Sequence, residues 1–197
     1  MSNGVIVAAP RDSEVKEWWE WLLRIPEDKT PLKGGEFVRQ NQNKSVICLA
    51  CTGGLGGNGG VDPSIRELAI TDTGKEVLIP IFVRAYVKEE GNFGRDEEAK
   101  RAAIEAVKDA PGKFLRIDNR PYEIYYKETG PFDIKKIPEN NILDNPSLRR
   151  KQLDYNNAYS AGYWSKVKLP RKGTPYEIKF GGEKGRFKTE VTYKVTV

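Results

Sequence analysis

Phe187-Lys188-Thr189-Glu190-Val191-Thr192-Tyr193-Lys194-Val195-Thr196-Val197 decides the fold class. Phe187, Thr189, Val191, Tyr193, Val195 and Val197 fall on one side of an extended chain. Lys188, Glu190, Thr192, Lys194 and Thr196 fall on the other. A period of two with β-branched and aromatic residues on the apolar side is the pattern of a strand that buries one face and wets the other. Tyr176, Ile178 and Phe180 repeat it upstream, and Gly181-Gly182-Glu183-Lys184-Gly185 reads as the hairpin connection. Trp164 to Leu169 gives another strand, closed by Pro170.

Working outward, Val77-Leu78-Ile79-Pro80-Ile81-Phe82-Val83 is a strongly apolar strand, and Ser45 to Cys51 reads as a buried one. The spacing predicts strands at 113–117 and 122–127, with Asp118-Asn119-Arg120-Pro121 as a turn by composition. Thr129 to Asn157 holds Pro131, Pro138, Pro146 and five asparagines, and reads as mostly loop.

Two segments carry helical periodicity. Val15, Trp18, Trp19, Leu22 and Leu23 recur at three- and four-residue spacing, predicting an amphipathic helix over 13–25 with Asp12 or Ser13 as its cap and Pro26 as its stop. Its tryptophans read as core. Ala99, Ala102, Ala103, Ala106 and Val107 make a thinner apolar stripe on a helix over 95–109, capped by Asp96. Strands that are each polar on one side build an antiparallel β-sandwich or jelly roll rather than a parallel sheet. A chain of 197 residues, 38% apolar and 31% charged, accommodates this as one domain over 1–197.

Function is bounded mostly by what is missing. The chain has no histidine, which removes Ser-His-Asp and Cys-His nucleophiles and histidine metal ligands. Its only cysteines, Cys48 and Cys51, provide at most two metal ligands. Three apart in a strand, they lie on opposite faces, which disfavours a local disulfide and points to reduced, structural thiols. No cofactor and no metal is implied. Lys plus Arg exceed Asp plus Glu by 33 to 28, a net +5. The densest basic run is only Arg149-Arg150-Lys151, which argues against nucleic acid as a dedicated partner.

Six of the eight residues from 53 to 60 are glycine, and Gly54, Gly56 and Gly59 satisfy G-x-G-x-x-G. A phosphate cradle needs a helix directly after the glycines. The succeeding Ile65-Arg66-Glu67-Leu68-Ala69 instead favours strand, glycine loop, strand, turn, strand: a β-meander. The amino end has no basic leader and only five consecutive apolar residues, Val5 to Ala9. It therefore predicts synthesis in the cytoplasm without a signal peptide, and no membrane span.

Trp18-Trp19-Glu20-Trp21 with Ile25-Pro26 and Asp28-Lys29, the apolar run into Thr52-Gly53-Gly54, and Arg66 followed by Gly74-Lys75 and Ile79-Pro80-Ile81 form a recurring series. With Pro138 to Leu143, Gly162-Tyr163-Trp164 and Glu190-Val191-Thr192-Tyr193, it resembles an uncharacterised family of similarly sized bacterial, archaeal and phage proteins. That family's marks are a WWxW helix, an FLAGT-GG-like strand and a GKxxxPI strand. The resemblance implies one β-rich domain and transfers no catalytic residue. It departs after the Pro-Ile strand, where Phe82-Val83-Arg84-Ala85-Tyr86 replaces a polar, Asn-containing segment, and at the amino end, where family members commonly carry an export leader. Leaderless versions fit phage-encoded copies.

These features together predict a non-enzymatic structural or interaction protein, such as a capsid-decoration, tail-associated or surface component, working through protein partners or self-assembly. Tyr155, Asn156, Asn157, Tyr159 and Tyr163 have paratope-like composition, with rigid aromatics beside adaptable amides, and are the candidate contact residues. The alternative is a carbohydrate-binding or carbohydrate-active sandwich, in which Glu67 and Glu76 are the strand carboxylates available for glycoside chemistry. The third reading is nucleotide or nucleic-acid binding at the glycine loop.

Overall fold

The tryptophan helix forms one residue earlier than its apolar period implies. In the computed structural model, which describes residues 4–33, 35–39, 42, 45–51, 60–71, 74–87, 95–142, 153–185 and 187–197, α1 spans Asp12–Leu23 with Arg11 at its cap position. Asp12 and Ser13 lie inside the first turn. The capping work falls to Glu14, whose carboxylate accepts the Arg11 backbone N–H at 2.7 Å and the Arg11 guanidinium at 2.8 and 3.1 Å. A carboxylate in the first turn also meets the positive end of the helix dipole. The second helix, α2, spans Asp96–Val107, again with Arg rather than Asp at the cap position: here Arg95. Short 3-10 turns at Glu27–Lys29, Pro31–Lys33 and Gly35–Arg39 come after α1.

The strands are β1 (Ile6–Ala8), β2 (Ile47–Cys48), β3 (Gly60–Ala69), β4 (Val77–Tyr86), β5 (Phe114–Ile117), β6 (Arg120–Pro121), β7 (Tyr125–Ile137), β8 (Leu153–Lys168), β9 (Tyr176–Lys184) and β10 (Phe187–Thr196). They form two sheets. In the first, β8 is the hub. It pairs antiparallel with β4 along one edge, and with β7 and then β1 along the other, while β2 lies outside β4. The second sheet runs β3-β10-β9-β5-β6. The fold is mainly β and sandwich-like.

Neither sheet is wholly antiparallel, because β2 runs parallel to β4 and β3 runs parallel to β10. Parallel neighbours require a crossover. Between β2 and β4 the crossover is β3, a strand of the opposite sheet. The expected β-meander is therefore replaced by a chain that leaves the first sheet, adds a strand to the second and returns.

A larger correction concerns residues 129–157. Much of this supposed loop belongs to β7 and β8, the two longest strands. Among the described residues β7 pairs with β8 alone along this stretch, so Pro131 withholds no amide from a second described neighbour. Register shifts between Thr129 and Phe132, Phe132 and Ile134, and Ile134 and Ile137 absorb the irregular residues. Lys136 and Asn157 sit at positive φ, 60° and 55°. Gly181 and Gly182 also belong to a strand, β9, opposite Glu190 and Thr189. The turn itself comes at Gly185, with φ of 60°.

Two cores result. One lies between the sheets and gathers Val77, Ile79 and Ile81 of β4, Ile178 and Phe180 of β9, and Val191, Tyr193 and Val195 of β10. The other lies between α1 and the outer face of the first sheet, where Trp18, Trp21 and Leu22 meet Leu78, Tyr155 and Trp164. The near-continuous apolar run of β4 is explained by this position, since Leu78 serves one core and its neighbours the other. Trp18 packs edge-on to Trp164 with ring centroids 5.3 Å apart and donates its indole N–H to Leu49 O at 2.7 Å. Trp19 donates to Ser160 Oγ at 2.8 Å. All three helix tryptophans are core, in agreement with their spacing.

Candidate functional site

All five candidate contact residues lie on β8, but the strand divides them. Tyr155 is only 4% exposed and packs in the core under α1. Asn156 and Asn157 are exposed, Asn156 accepting from Lys135 Nζ and Asn157 donating its backbone N–H to Asp133 Oδ1 at 3.1 Å and its side-chain amide to Asp96 Oδ2 at 3.3 Å. Tyr159 and Tyr163 are half-buried. Even spacing would put Tyr155, Tyr159 and Tyr163 on one face. Three β8 residues instead span the register from Tyr155 to Ala158 where β7 uses two, from Ile134 to Phe132. The extra residue turns Tyr155 to the helix side, with Ala158 and Trp164, while Tyr163 packs against the intersheet core.

Tyr163 enters a cleft of about 320 Å³ between the end of α2 and the β7–β8 ladder, lined also by Ile104, Lys108, Asp109, Tyr126 and Glu128. Tyr126 and Tyr163 are register partners whose ring centroids lie 5.4 Å apart at 56°. Tyr126 is 43% exposed, one of the few large apolar side chains so open among the described residues. Its hydroxyl donates to Glu128 Oε1 at 3.0 Å. Burial first, then this hydrogen bond and the nearby carboxylates of Glu128 and Glu105, push the phenol well above its ordinary range, so it remains a neutral donor. Lys113 Nζ sits 4.4 Å from the Tyr163 ring centroid and donates to Ala110 O at 3.0 Å. Lys184 Nζ donates to Lys108 O at 2.8 Å and to Glu105 O. These ammonium groups neutralise the negative end of α2.

Asn157 enters a second cleft, about 420 Å³, formed by Asp12, Ser13 and Lys16 of α1 and the 129–133 segment of β7. Its carboxylates are already engaged: Asp12 with Lys127 at 2.6 Å, Asp133 with the Asn157 amide. Tyr159, raised by burial and then by the charges of Asp96 and Glu97, pairs with Tyr86 across β4.

The other candidate chemistries are tied down by structure. Glu67 is exposed on β3 in the second sheet, whereas Glu76 precedes β4 in the first and pairs with Lys166 at 2.9 Å. The two carboxylates thus belong to different sheets. Lys166 also holds Glu14 at 3.1 Å; Glu14 is 1% exposed. Burial would raise the Glu14 carboxyl, but hydrogen bonds from Arg11 and Lys166 outweigh it and hold the group below its usual range. Cys48 and Cys51 are buried thiols that lie in different cores. Burial pushes the Cys51 thiol up to about 11, against the opposing charge of Arg66, which makes it a poor nucleophile. Arg66, 1% exposed, donates to Pro31 O, Ala50 O, Leu32 O and Tyr193 Oη. The glycine-rich stretch 52–59 lies outside the described residues, and the next element along the chain is β3, not a helix. The basic run 149–151 lies outside them too. Among the described residues no three His, Cys, Asp or Glu cluster as metal ligands, and no helix is long and apolar enough to cross a membrane.

No family model matches the chain, and no curated protein or solved structure is significantly similar to it.

Sequence reasoning reached Tyr163 and missed Tyr126, Glu128 and Asp109. The signal was present in Tyr126 and Glu128, which share one side of the alternating 122–127 strand once that strand is continued through residue 128.

Proposed function

We propose that the protein is a non-enzymatic interaction module that engages a protein partner through the Tyr126–Tyr163 cleft. The observation that supports this most is the exposed Tyr126 packed beside the half-buried Tyr163, which together present rigid aromatic area inside a rim of charge. That is the composition of interface anchor points, where tyrosine is enriched and charged groups lie at the edge. The flanking edge of β7 carries Lys127, Pro131, Lys135 and Lys136 together with three register shifts, devices that discourage strand addition. Side chains in the cleft, rather than backbone pairing, therefore provide the specificity. A virion or surface assembly is the setting to which the sequence resemblance points.

The test is the assembly state of the full chain in clarified lysate of the cells that produce it, read by sedimentation and by electron microscopy of the same fractions. The chain is expected to migrate well above 22.3 kDa, and Tyr126→Ala to return it toward that mass while its far-ultraviolet dichroism and urea midpoint are unchanged. A wild-type chain that sediments as a monomer under these conditions overturns the reading.

A further inference from the structure

We infer that the Tyr126–Tyr163 cleft receives a basic side chain of the partner, arginine in preference to lysine. This rests on the interaction reading and names the chemistry that the cleft selects.

Most of the charges around the cleft are already used. Lys184 is committed to the backbone carbonyls of Glu105 and Lys108. Lys113 is committed to Ala110 O and to the face of Tyr163. Lys108 lies 3.8 Å from the Glu105 carboxylate. Glu128 and Asp109, both lining the cleft, have no cationic partner among the described residues. Among the described residues Glu128 accepts from the Tyr126 hydroxyl alone. Two carboxylates without a counter-ion among the described residues therefore lie beside the exposed Tyr126 side chain, on a chain whose net charge is +5. The cleft lining carries two carboxylates, Asp109 and Glu128, against one ammonium, Lys108, a balance that favours a cation over an anion.

The neighbouring ring shows the geometry at work, because Tyr163 already carries an ammonium at 4.4 Å. Tyr126 is the adjacent ring, and it is open. A cation over an aromatic face gains from the ring quadrupole as well as from nearby carboxylates. Arginine is preferred over lysine because its planar guanidinium stacks on the tyrosine while its fork reaches a carboxylate bidentately, and its methylene stem lies against an apolar wall, here Ile104. A cleft of about 320 Å³ suits one such side chain rather than a folded element.

The experiment is a two-dimensional amide NMR titration of the full chain with N-acetyl-arginine amide, N-acetyl-lysine amide and N-acetyl-citrulline amide, the last being a neutral isostere of arginine. Arginine amide is expected to give saturable shifts centred on Tyr126, Glu128 and Tyr163, with lysine amide weaker and citrulline amide at least about tenfold weaker. Added salt should weaken the arginine complex. Glu128→Gln, an exposed change that leaves the fold intact, should cost about tenfold, as expected for losing one charged partner. Equal binding of citrulline amide, shifts centred elsewhere, no saturation, or tighter occupation of the cleft by cellotetraose each overturns the inference. An assembly that depends on Tyr126 but whose cleft ignores arginine amide overturns this inference and leaves the interaction reading standing. Arginine binding by a chain that remains monomeric in lysate supports the site and overturns the interaction reading.

Discussion

Replacing Arg66 by Met tests whether one buried cation ties the inter-sheet core to the segments around it. The guanidinium donates at 2.9 Å to Pro31 O, 2.9 Å to Ala50 O, 3.0 Å to Leu32 O and 3.1 Å to Tyr193 Oη, and lies 5.5 Å from the Tyr193 ring centroid. Methionine fills much of the same volume and donates nothing. Ala50 O keeps one donor, the Tyr193 hydroxyl at 2.8 Å. Pro31 O and Leu32 O each lose a charged donor, and an acceptor left short of a partner costs roughly 1–3 kcal/mol. Relief of the desolvated charge returns part of this, because buried ions are expensive in themselves. The expected net loss is about 4 kcal/mol. Tyr193→Phe strands the Ala50 N–H, which bonds to the tyrosine oxygen at 3.1 Å, and should cost about 2 kcal/mol. Because the two side chains share Ala50 O and bond to each other, the double variant should cost about 1 kcal/mol less than the sum. Arg66→Lys should recover less than half of the loss, since one ammonium cannot reach four acceptors arranged for a planar fork. Urea unfolding followed by the buried tryptophans measures all four variants. An Arg66→Met cost under about 1 kcal/mol, or strict additivity with Tyr193→Phe, refutes the reasoning.

The Glu14–Lys166 pair and the glycines of the second sheet give two further expectations. Glu14 titrates below its usual range when folded, so its stabilisation is present above about pH 4.3 and is lost as pH falls through the folded value. Lys166 is raised despite its burial, through Glu76 and Glu14, so its share persists below about pH 10.4 and is lost as pH rises through the folded value. Glu14→Gln should cost about 3 kcal/mol at neutral pH and flatten the acid limb of a stability profile measured by urea midpoints; an unchanged acid limb contradicts the assignment. Gly181→Ala places a Cβ 2.1 Å from Thr189 O, a backbone atom of the partner strand, and should destabilise by about 3 kcal/mol or more, whereas Gly173→Ala, with open space around it, should be nearly silent. Thermal melts of the two variants decide it.

What was legible in the sequence was the part governed by clean periodicity. β10 and the tryptophan face of α1 are each dictated by one core with one repeat, and the apolar run of β4 by burial on both of its faces. β7 and β8 were not legible between 129 and 157, although Phe132, Ile134 and Ile137 carry the buried positions of a strand. Bulges at Pro131, Lys136 and Asn157 broke the period of two into pieces too short to recognise. The same bulge hid the site, because it sends Tyr155 inward while Tyr163 remains at the surface cleft. The parallel pairings were out of reach for another reason: which sheet β3 joins depends on partners more than a hundred residues away.

That pairing of distant segments also sets the order of events during synthesis. Ile6 meets Lys168, Gly60 meets Thr189, and β10, which joins β3 to β9, follows both of its partners along the chain. At roughly 5–20 residues per second, the ribosome needs about 10–40 seconds for these 197 residues. For most of that interval the Val77–Tyr86 segment lacks its β8 partner and the β3 segment lacks β10. Non-local pairing of this kind folds slowly and leaves apolar segments uncovered meanwhile. Until Phe187–Thr196 is available, β3 and β9 have nothing to join them, and a chain cut before Phe187 loses the strand on which the second sheet closes.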